Sequence, residues 1–449
     1  MTERYLVYGL AVAGAAVVRA VQRRGIEVVV VDDTRTDARA ELATTLGVEL
    51  VVAPDVDRFE SLVAACSVVV PAPGVPESHR VFAAAHRAGT PLRSEIEIAY
   101  RWEQERPGGP RPILAVTGTD GKTTTTLWAV EMLEAGGVKT VAAGNTEVPL
   151  VEAVDLDLDA FVVECTNHRL ATTEQFRGDV AAWLNFAPDH LNWHVSLASY
   201  EASKVRLFSH QRTTDVAIGA AADPVVMHHL ASAPGRHRTF GRLDADYDVS
   251  PSGELRGPQG VLAATSDLRR ALPHDVTNGL AASALVLESG LAGPDAVAAG
   301  LASFTGPPHR IELVGEADGV RWYNDSKATT PHAASTAIRA FEHVVLIAGG
   351  LNKGLDLGPM AAEGQRIRTV VAIGRDAADV QAAFSGCAMT LADSMAEAVE
   401  LAGHAARPGD VVLLSPGCAS FDWYPDGGYP ERGDDFRRLV QARLGGTDE

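Results

Sequence analysis

Cysteine is scarce in this chain. Cys66, Cys165, Cys387 and Cys418 are far apart in 449 residues and form no CxxC pair. A disulfide framework or a cysteine-built zinc site is therefore not expected, and the four read as free buried thiols. No apolar run approaches the roughly 18 residues of a membrane span. The apolar stretch 6–17 is interrupted by glycines in a strand-turn-helix rhythm, unlike a signal peptide. Positive charge is also short: 39 Lys and Arg face 58 Asp and Glu, a formal net charge of −19. That argues against nucleic acid or an anionic membrane surface as the main partner. It leaves a phosphorylated ligand open, since such a ligand needs only local positive charge. No internal repeat of solenoid period is present. The expectation is a cytoplasmic enzyme without membrane insertion. Its 449 residues are too many for one core, so two or three domains are expected.

What is present centres on Ile113-Leu114-Ala115-Val116-Thr117-Gly118-Thr119-Asp120-Gly121-Lys122-Thr123-Thr124. The apolar run reads as a buried strand, and the glycines as a tight turn whose N–H groups face an anion. A helix begins near Lys122 or Thr123 and adds partial positive charge at the same place. Lys122 would reach terminal phosphates and the Thr123 hydroxyl a Mg²⁺ ion. The pattern is shorter than a full P-loop, because Val116 stands where its first glycine would be.

Three α/β segments follow from the patterning. In 1–107, strands at Tyr5-Leu6-Val7-Tyr8 and Val28-Val29-Val30-Val31 flank Gly9-Leu10-Ala11-Val12-Ala13-Gly14 and a helix. This resembles half of a dinucleotide-binding unit, although Ala11 replaces the middle glycine of GxGxxG. Further strands fall at Glu49-Leu50-Val51-Val52 and Val68-Val69-Val70. The Pro71-Ala72-Pro73-Gly74 break then lies at a strand's C-terminal end, where such sheets bind ligands. A polar Pro/Gly linker around Gly108 marks a boundary.

In 108–306, Ala160-Phe161-Val162-Val163-Glu164 is a strand ending in a carboxylate, a natural Mg²⁺ ligand in a P-loop protein. The strand Val180-Ala181-Ala182-Trp183-Leu184-Asn185 leads into Pro188-Asp189-His190-Leu191-Asn192-Trp193-His194, dense in polar groups. Lys204 sits on a helical pattern and by itself reads as a solvated lysine. A helix starts at Val276-Thr277-Asn278. In 307–449, strands at 344–348, 369–373 and 411–414 alternate with helical patterns, giving another parallel α/β domain.

Six separated motifs, in order, resemble the Mur ligase family, the ATP-dependent amide ligases of peptidoglycan precursor synthesis. They are the glycine turn; Leu184-Asn185 through His194; Phe304, Gly306 and His309-Arg310; Asn324-Asp325-Ser326-Lys327-Ala328-Thr329; Gly349-Gly350-Leu351-Asn352-Lys353-Gly354; and Leu414-Ser415-Pro416-Gly417-Cys418-Ala419-Ser420-Phe421-Asp422 through Glu431-Arg432-Gly433. The last two are most like the glutamate-adding branch. The resemblance implies three domains: Rossmann-like, P-loop ATPase and Rossmann-like. It also implies that ATP phosphorylates the carboxylate of UDP-N-acetylmuramoyl-L-alanine, whose acyl phosphate is then attacked by the amine of glutamate.

By the same resemblance, Gly118, Thr119, Asp120, Gly121, Lys122, Thr123 and Thr124 hold the phosphates, with Arg310 assisting from the domain junction. Thr123 and Glu164 hold one Mg²⁺, and His190 with a carbamylated Lys204 supports a second. Asn278 contacts adenine, and Asp325 and Lys327 lie on the nucleotide side. Asp33, Thr34, Arg35, Gly74 and Asn145 face the nucleotide-sugar, so the first domain takes UDP in place of NAD. Thr329, Lys353 and Ser420 bind the amino acid's carboxylates, with Tyr424 or Tyr429 packing on it. A monomer is implied, its three lobes closing on ligands about junctions near Gly108 and Gly306.

Three departures from the branch's pattern stand out. Cys165-Thr166-Asn167-His168-Arg169 replaces a Ser-Ser-Phe-Gln run after the metal glutamate. Thr146-Glu147 stands where Ile-Gly is usual. The loop 420–432 is about two residues longer than usual. These keep open an alternative, the same ligation with L-glutamate as acceptor. A non-catalytic nucleotide-binding regulator is disfavoured by Lys122, Thr123, Glu164, His190 and Lys204 together. A folylpolyglutamate-type ligase is disfavoured by the uridine-type first domain.

Overall fold

The structure is a computed structural model that describes residues 3–191, 193–241, 243–352 and 354–445. Lys353, expected at the amino-acid carboxylates, and Asn192 of the histidine-rich segment lie outside the described residues. Two compact units are formed, Met1–Phe304 and Thr305–Glu449.

The first unit opens with β1 (Arg4–Tyr8), β2 (Glu27–Asp32), β3 (Leu50–Val52) and β4 (Val68–Pro71), a parallel sheet in the order β3-β2-β1-β4. The valine runs are buried on both faces by flanking helices, as a parallel sheet requires. Strand order reverses at β1, so the turn 9–11 enters the crevice where ligands bind such sheets.

A six-stranded parallel sheet follows, with order β10-β9-β8-β5-β7-β6: β5 (Ile113–Thr117), β6 (Ala142–Gly144), β7 (Phe161–Glu164), β8 (Val180–Trp183), β9 (Val216–Ala220) and β10 (Arg236–Phe240). β5 lies between β7 and β8, so the glycine turn occupies this sheet's own switch point. The edge strand β10 reads Arg-His-Arg-Thr-Phe and buries only its last residue, so no hydrophobic pattern announces it. After β10 comes a small antiparallel sheet, β11 (Asp248–Val249), β12 (Glu254–Gly257) and β13 (Gly260–Ala264).

These sheets belong to one unit because they share a core and a set of buried ion pairs. One apolar cluster runs from Val7 and Val18 through Ile96 and Tyr100 to Phe161 and Trp183. The helix Glu95–Gln104 contributes three acidic anchors. Glu95 pairs with Arg169 at 3.0 Å and Glu103 with Arg111 at 2.7 Å. Glu97, fully buried, accepts the backbone N–H groups of Glu174, Gln175 and Phe176. The exposed loop at Gly108 thus follows a helix that buried ion pairs tie to the segment after it.

The second unit is a six-stranded sheet, order β14-β15-β19-β16-β17-β18, parallel except for the β14–β15 hairpin. Its strands are β14 (Glu312–Ala317), β15 (Val320–Asn324), β16 (Val344–Gly349), β17 (Ile367–Ile373), β18 (Met389–Ala392) and β19 (Val411–Leu414). The three strands predicted from apolar runs are β16, β17 and β19. The others are edge or hairpin strands with mixed burial.

Candidate active site

The helix Lys122–Ala135 starts at Gly121, whose φ of +81° is left-handed, and no side chain caps its first turn. A Cβ at Gly121 would meet Asn278 Oδ1 at 2.5 Å, so both conformation and space require glycine. The first-turn N–H groups are thereby left for an anion. The turn is held from behind. Asn185 Oδ1 accepts the N–H groups of Thr119 and Asp120, each at 2.9 Å. The Thr119 hydroxyl lies 3.0 Å from that of Tyr200 and accepts Ala187 N–H.

Two lysines converge on one carbonyl. Lys122 Nζ and Lys204 Nζ each donate to Gly118 O at 2.8 Å, and Lys122 also donates to Thr119 O. Lys204 is fully buried, 4.7 Å over the Tyr200 ring. Burial, reinforced by the Lys122 charge, drives its pKa well below that of an ordinary lysine. The solvated lysine that its sequence position suggests is corrected by the fold: the helix Leu197–Ser209 turns it inward.

Glu164 ends β7 beside the turn, in register with Val116, and is 1% exposed. Its Oε1 accepts Asn145 Nδ2 at 2.9 Å, while Oε2 is buried without a hydrogen-bond partner. A buried carboxylate oxygen left unpaired is costly in a dry protein and suits a cation. Among the described residues no cluster of three His, Cys, Asp or Glu side chains forms a ready-made metal site. A metal here would therefore share Glu164 with the Thr123 hydroxyl and with groups the ligand brings.

His190 has φ of +54° and takes its backbone hydrogen bond to Asp189 Oδ1 at 2.7 Å. Its ring packs 4.7 Å from that of His168, which also lies 4.9 Å from Trp193. Burial, with His190 and His194 adjacent, pushes His168 down to about 3 and keeps it neutral. His190 is lowered too, by burial and by Lys122 and Lys204 against the pull of Asp189. His194 is tied to Asn167 and, at 3.3 Å, to Glu77, whose carboxylate also takes the Ser199 hydroxyl.

Among the expected nucleotide-sugar residues, Asp33, Thr34 and Arg35 are exposed at the C-terminal end of β2. Asp33 accepts from Tyr8 at 2.6 Å and lies 3.2 Å from His79. Gly74 is exposed after β4. A cavity lies between these sheets, lined by Gly14, Pro73, Ser94, His168 and Arg169 among others. Asn145 points its amide at Glu164 and at Arg169.

In the second unit, Arg310 stands between two left-handed residues, His309 (φ +59°) and Ile311 (φ +45°). Asp325 is buried and accepts Ile311 N–H and the Ser415 hydroxyl. Lys327 Nζ lies 5.7 Å over the Tyr429 ring. Thr329 is half-buried and Ser420 is buried. Tyr424 is buried with its hydroxyl donated to Asp435, whereas Tyr429 is half-buried against His309.

Sequence reasoning did not find Glu77, Glu95 or the role of Arg169. Their partners lie 24 to 122 residues away, and nothing local marks them. Asn185 had a usable signal, as a polar residue directly after a buried strand that runs beside the phosphate turn.

Residues 116–285 match the Mur ligase middle domain, and residues 309–418 the Mur ligase glutamate ligase domain. The chain is 40% identical over 458 aligned positions to a protein of Frankia casuarinae named UDP-N-acetylmuramoylalanine–D-glutamate ligase, covering 98% of this chain and 94% of that one. A Pelotomaculum thermopropionicum protein of the same name is 37% identical, with 98% and 97% covered. The fold resembles the crystal structure of a UDP-N-acetylmuramate–alanine ligase from Thermotoga maritima, with a TM-score of 0.58 at 18% identity over 99% of this chain and 100% of that one.

Proposed function

This chain belongs to the Mur ligase family, and from that premise we propose that it is an ATP-dependent ligase joining D-glutamate to UDP-N-acetylmuramoyl-L-alanine, with release of ADP and phosphate. The near-full-length identity to relatives bearing that name carries the reading. It also favours D-glutamate over the L-glutamate alternative.

The residues have the chemistry such a reaction needs. Phosphoryl transfer from ATP to a carboxylate brings two anions together, so catalysis rests on positioning and on positive charge. The uncapped turn of the helix Lys122–Ala135 offers backbone N–H groups to the phosphates, and Lys122, held on the Gly118 carbonyl of the same turn, brings its charge to that place. Arg310 adds charge from the second unit. Thr123 and Glu164 would hold a magnesium ion and His190 would help hold a second, and such ions would supply further neutralisation of the phosphates. Burial lowers the Lys204 pKa well below that of an ordinary lysine and so favours the neutral amine, the form that reacts with carbon dioxide. The nitrogen–carbon bond forms, a proton leaves to solvent, and a carbamate anion able to support a cation results.

The nucleotide-sugar occupies the crevice between Asp33, Thr34, Arg35, Gly74 and the cavity near Asn145. Its phosphorylated carboxyl carbon is attacked by the amine of glutamate, and phosphate leaves. Thr329, Ser420 and Tyr429 serve the amino acid. Asn278 serves adenine, with Asp325 and Lys327 on the nucleotide side. The division 1–107, 108–306 and 307–449 is retained as the functional one, and the chain acts as a monomer in the cytoplasm.

The test is phosphate release from ATP. It should require UDP-N-acetylmuramoyl-L-alanine and respond to D-glutamate. A response to L-glutamate alone would replace the acceptor, and silence with both would remove the ligase reading.

A further inference from the structure

We infer that Arg169 is a positioning residue for Glu164, fixing through Asn145 which carboxylate oxygen is left for a cation. The inference rests on the proposed ATP chemistry and concerns a residue where the chain departs from the branch's pattern.

The chain of contacts is continuous and dry. Glu95, Arg169 and Glu164 are 3%, 6% and 1% exposed, so none of their charges is supported by solvent. Val151 N–H and Arg169 Nε hold the two oxygens of Glu95 at 3.1 and 3.0 Å. Arg169 Nη1 donates to Asn145 Oδ1 at 2.6 Å, and Asn145 Nδ2 donates to Glu164 Oε1 at 2.9 Å. The orientation of the amide is chemically forced. A guanidinium only donates, so it must face Oδ1, and that leaves Nδ2 to donate to Glu164 Oε1. Turning the amide over would set donor against donor and acceptor against acceptor. With Oε1 thus engaged, Oε2 stands unpartnered. Partners of metal-binding carboxylates act in this way, by orienting the ligand group.

Arg169 and Glu95 also line the cavity beside Gly14, in the first turn of the helix Val12–Arg23. A nucleotide-sugar entering there meets the same guanidinium that orients Glu164, so the metal group and the sugar pocket are coupled through one side chain.

The alternative is that Arg169 only bolts the helix Glu95–Gln104 to the second sheet. A measurement of metal affinity separates the two. Mn²⁺ uptake by the full chain is followed by electron paramagnetic resonance beside a non-hydrolysable ATP analogue, with analogue binding in EDTA as control. Glu95→Gln/Arg169→Met removes the buried pair together and leaves no orphaned charge. Mn²⁺ affinity should fall about 10- to 100-fold, with analogue binding in EDTA unchanged. Should that variant fail to fold, Arg169→Lys decides. A point ammonium cannot span Glu95 and Asn145 as the planar fork does, so weaker Mn²⁺ binding is again expected. Wild-type Mn²⁺ affinity in a folded variant would overturn the inference. A wild-type protein that takes up no Mn²⁺ beside the analogue would overturn the proposed ATP chemistry, and this inference with it.

Discussion

Lys204 shows how a residue's chemistry is set by what surrounds it. Burial and the neighbouring Lys122 drive its pKa well below that of an ordinary lysine, which favours the amine form that the proposed carbamylation needs. Lys204→Ala should lose at least about tenfold in turnover, as for groups that support a metal, and added bicarbonate should not restore it. A ¹³C carbamate resonance in the wild type, absent from the variant, checks the same point. Glu77 illustrates the opposite shift. Burial works to raise its pKa, but hydrogen bonds from Ser199, Val195 N–H and His194 prevail and hold it below 4.5. A depressed carboxylate pKa gives stability that is present above the unfolded value and lost as pH falls through the folded one. Glu77→Gln should therefore destabilise the protein by about 1–3 kcal/mol at pH 7. The gap from wild type should close in denaturant titrations run below the folded-state pKa.

At the scale of the element, the helix Lys122–Ala135 is defined by how it begins. Gly121 supplies a left-handed turn that other residues adopt at a cost of about 1–3 kcal/mol, and Asn278 fills the space a side chain would take. Gly121→Ala is expected to lower the unfolding free energy by about that amount. It should also weaken ADP binding in calorimetric titration, because the first-turn N–H groups shift from their common focus. The strands beside this helix serve as placement devices: β5 presents the turn, β7 presents Glu164, and β8 leads to Asn185, which braces the turn. Each is a short apolar run with a polar residue at its C-terminal end. That is why the position of the site could be read from patterning, while the contacts of Arg169 and Glu77 could not.

For the molecule as a whole, the informative result is that the first two sheets form one compact unit. Composition around Gly108 implies a linker, yet the helix before it carries Glu95, Glu97 and Glu103 into buried bonds with the second sheet. Glu97→Gln, which weakens the pair with the partly exposed Arg101 and the bonds to three backbone N–H groups, should cost about 1–3 kcal/mol. Equilibrium urea unfolding is the measurement.

The sequence by itself determined the class of fold, the phosphate turn, the carboxylate at the end of β7 and the histidine-rich segment. These depend on local rules: apolar runs make buried strands, glycines make tight turns, and helix starts attract anions. Only the tertiary structure decided that Lys204 is buried with its pKa lowered, that one oxygen of Glu164 is held and the other left, and that the first two sheets share one compact unit. Desolvation and pairing between distant residues are properties of the packed molecule, and no local pattern encodes which carboxylate will meet which guanidinium 74 positions away.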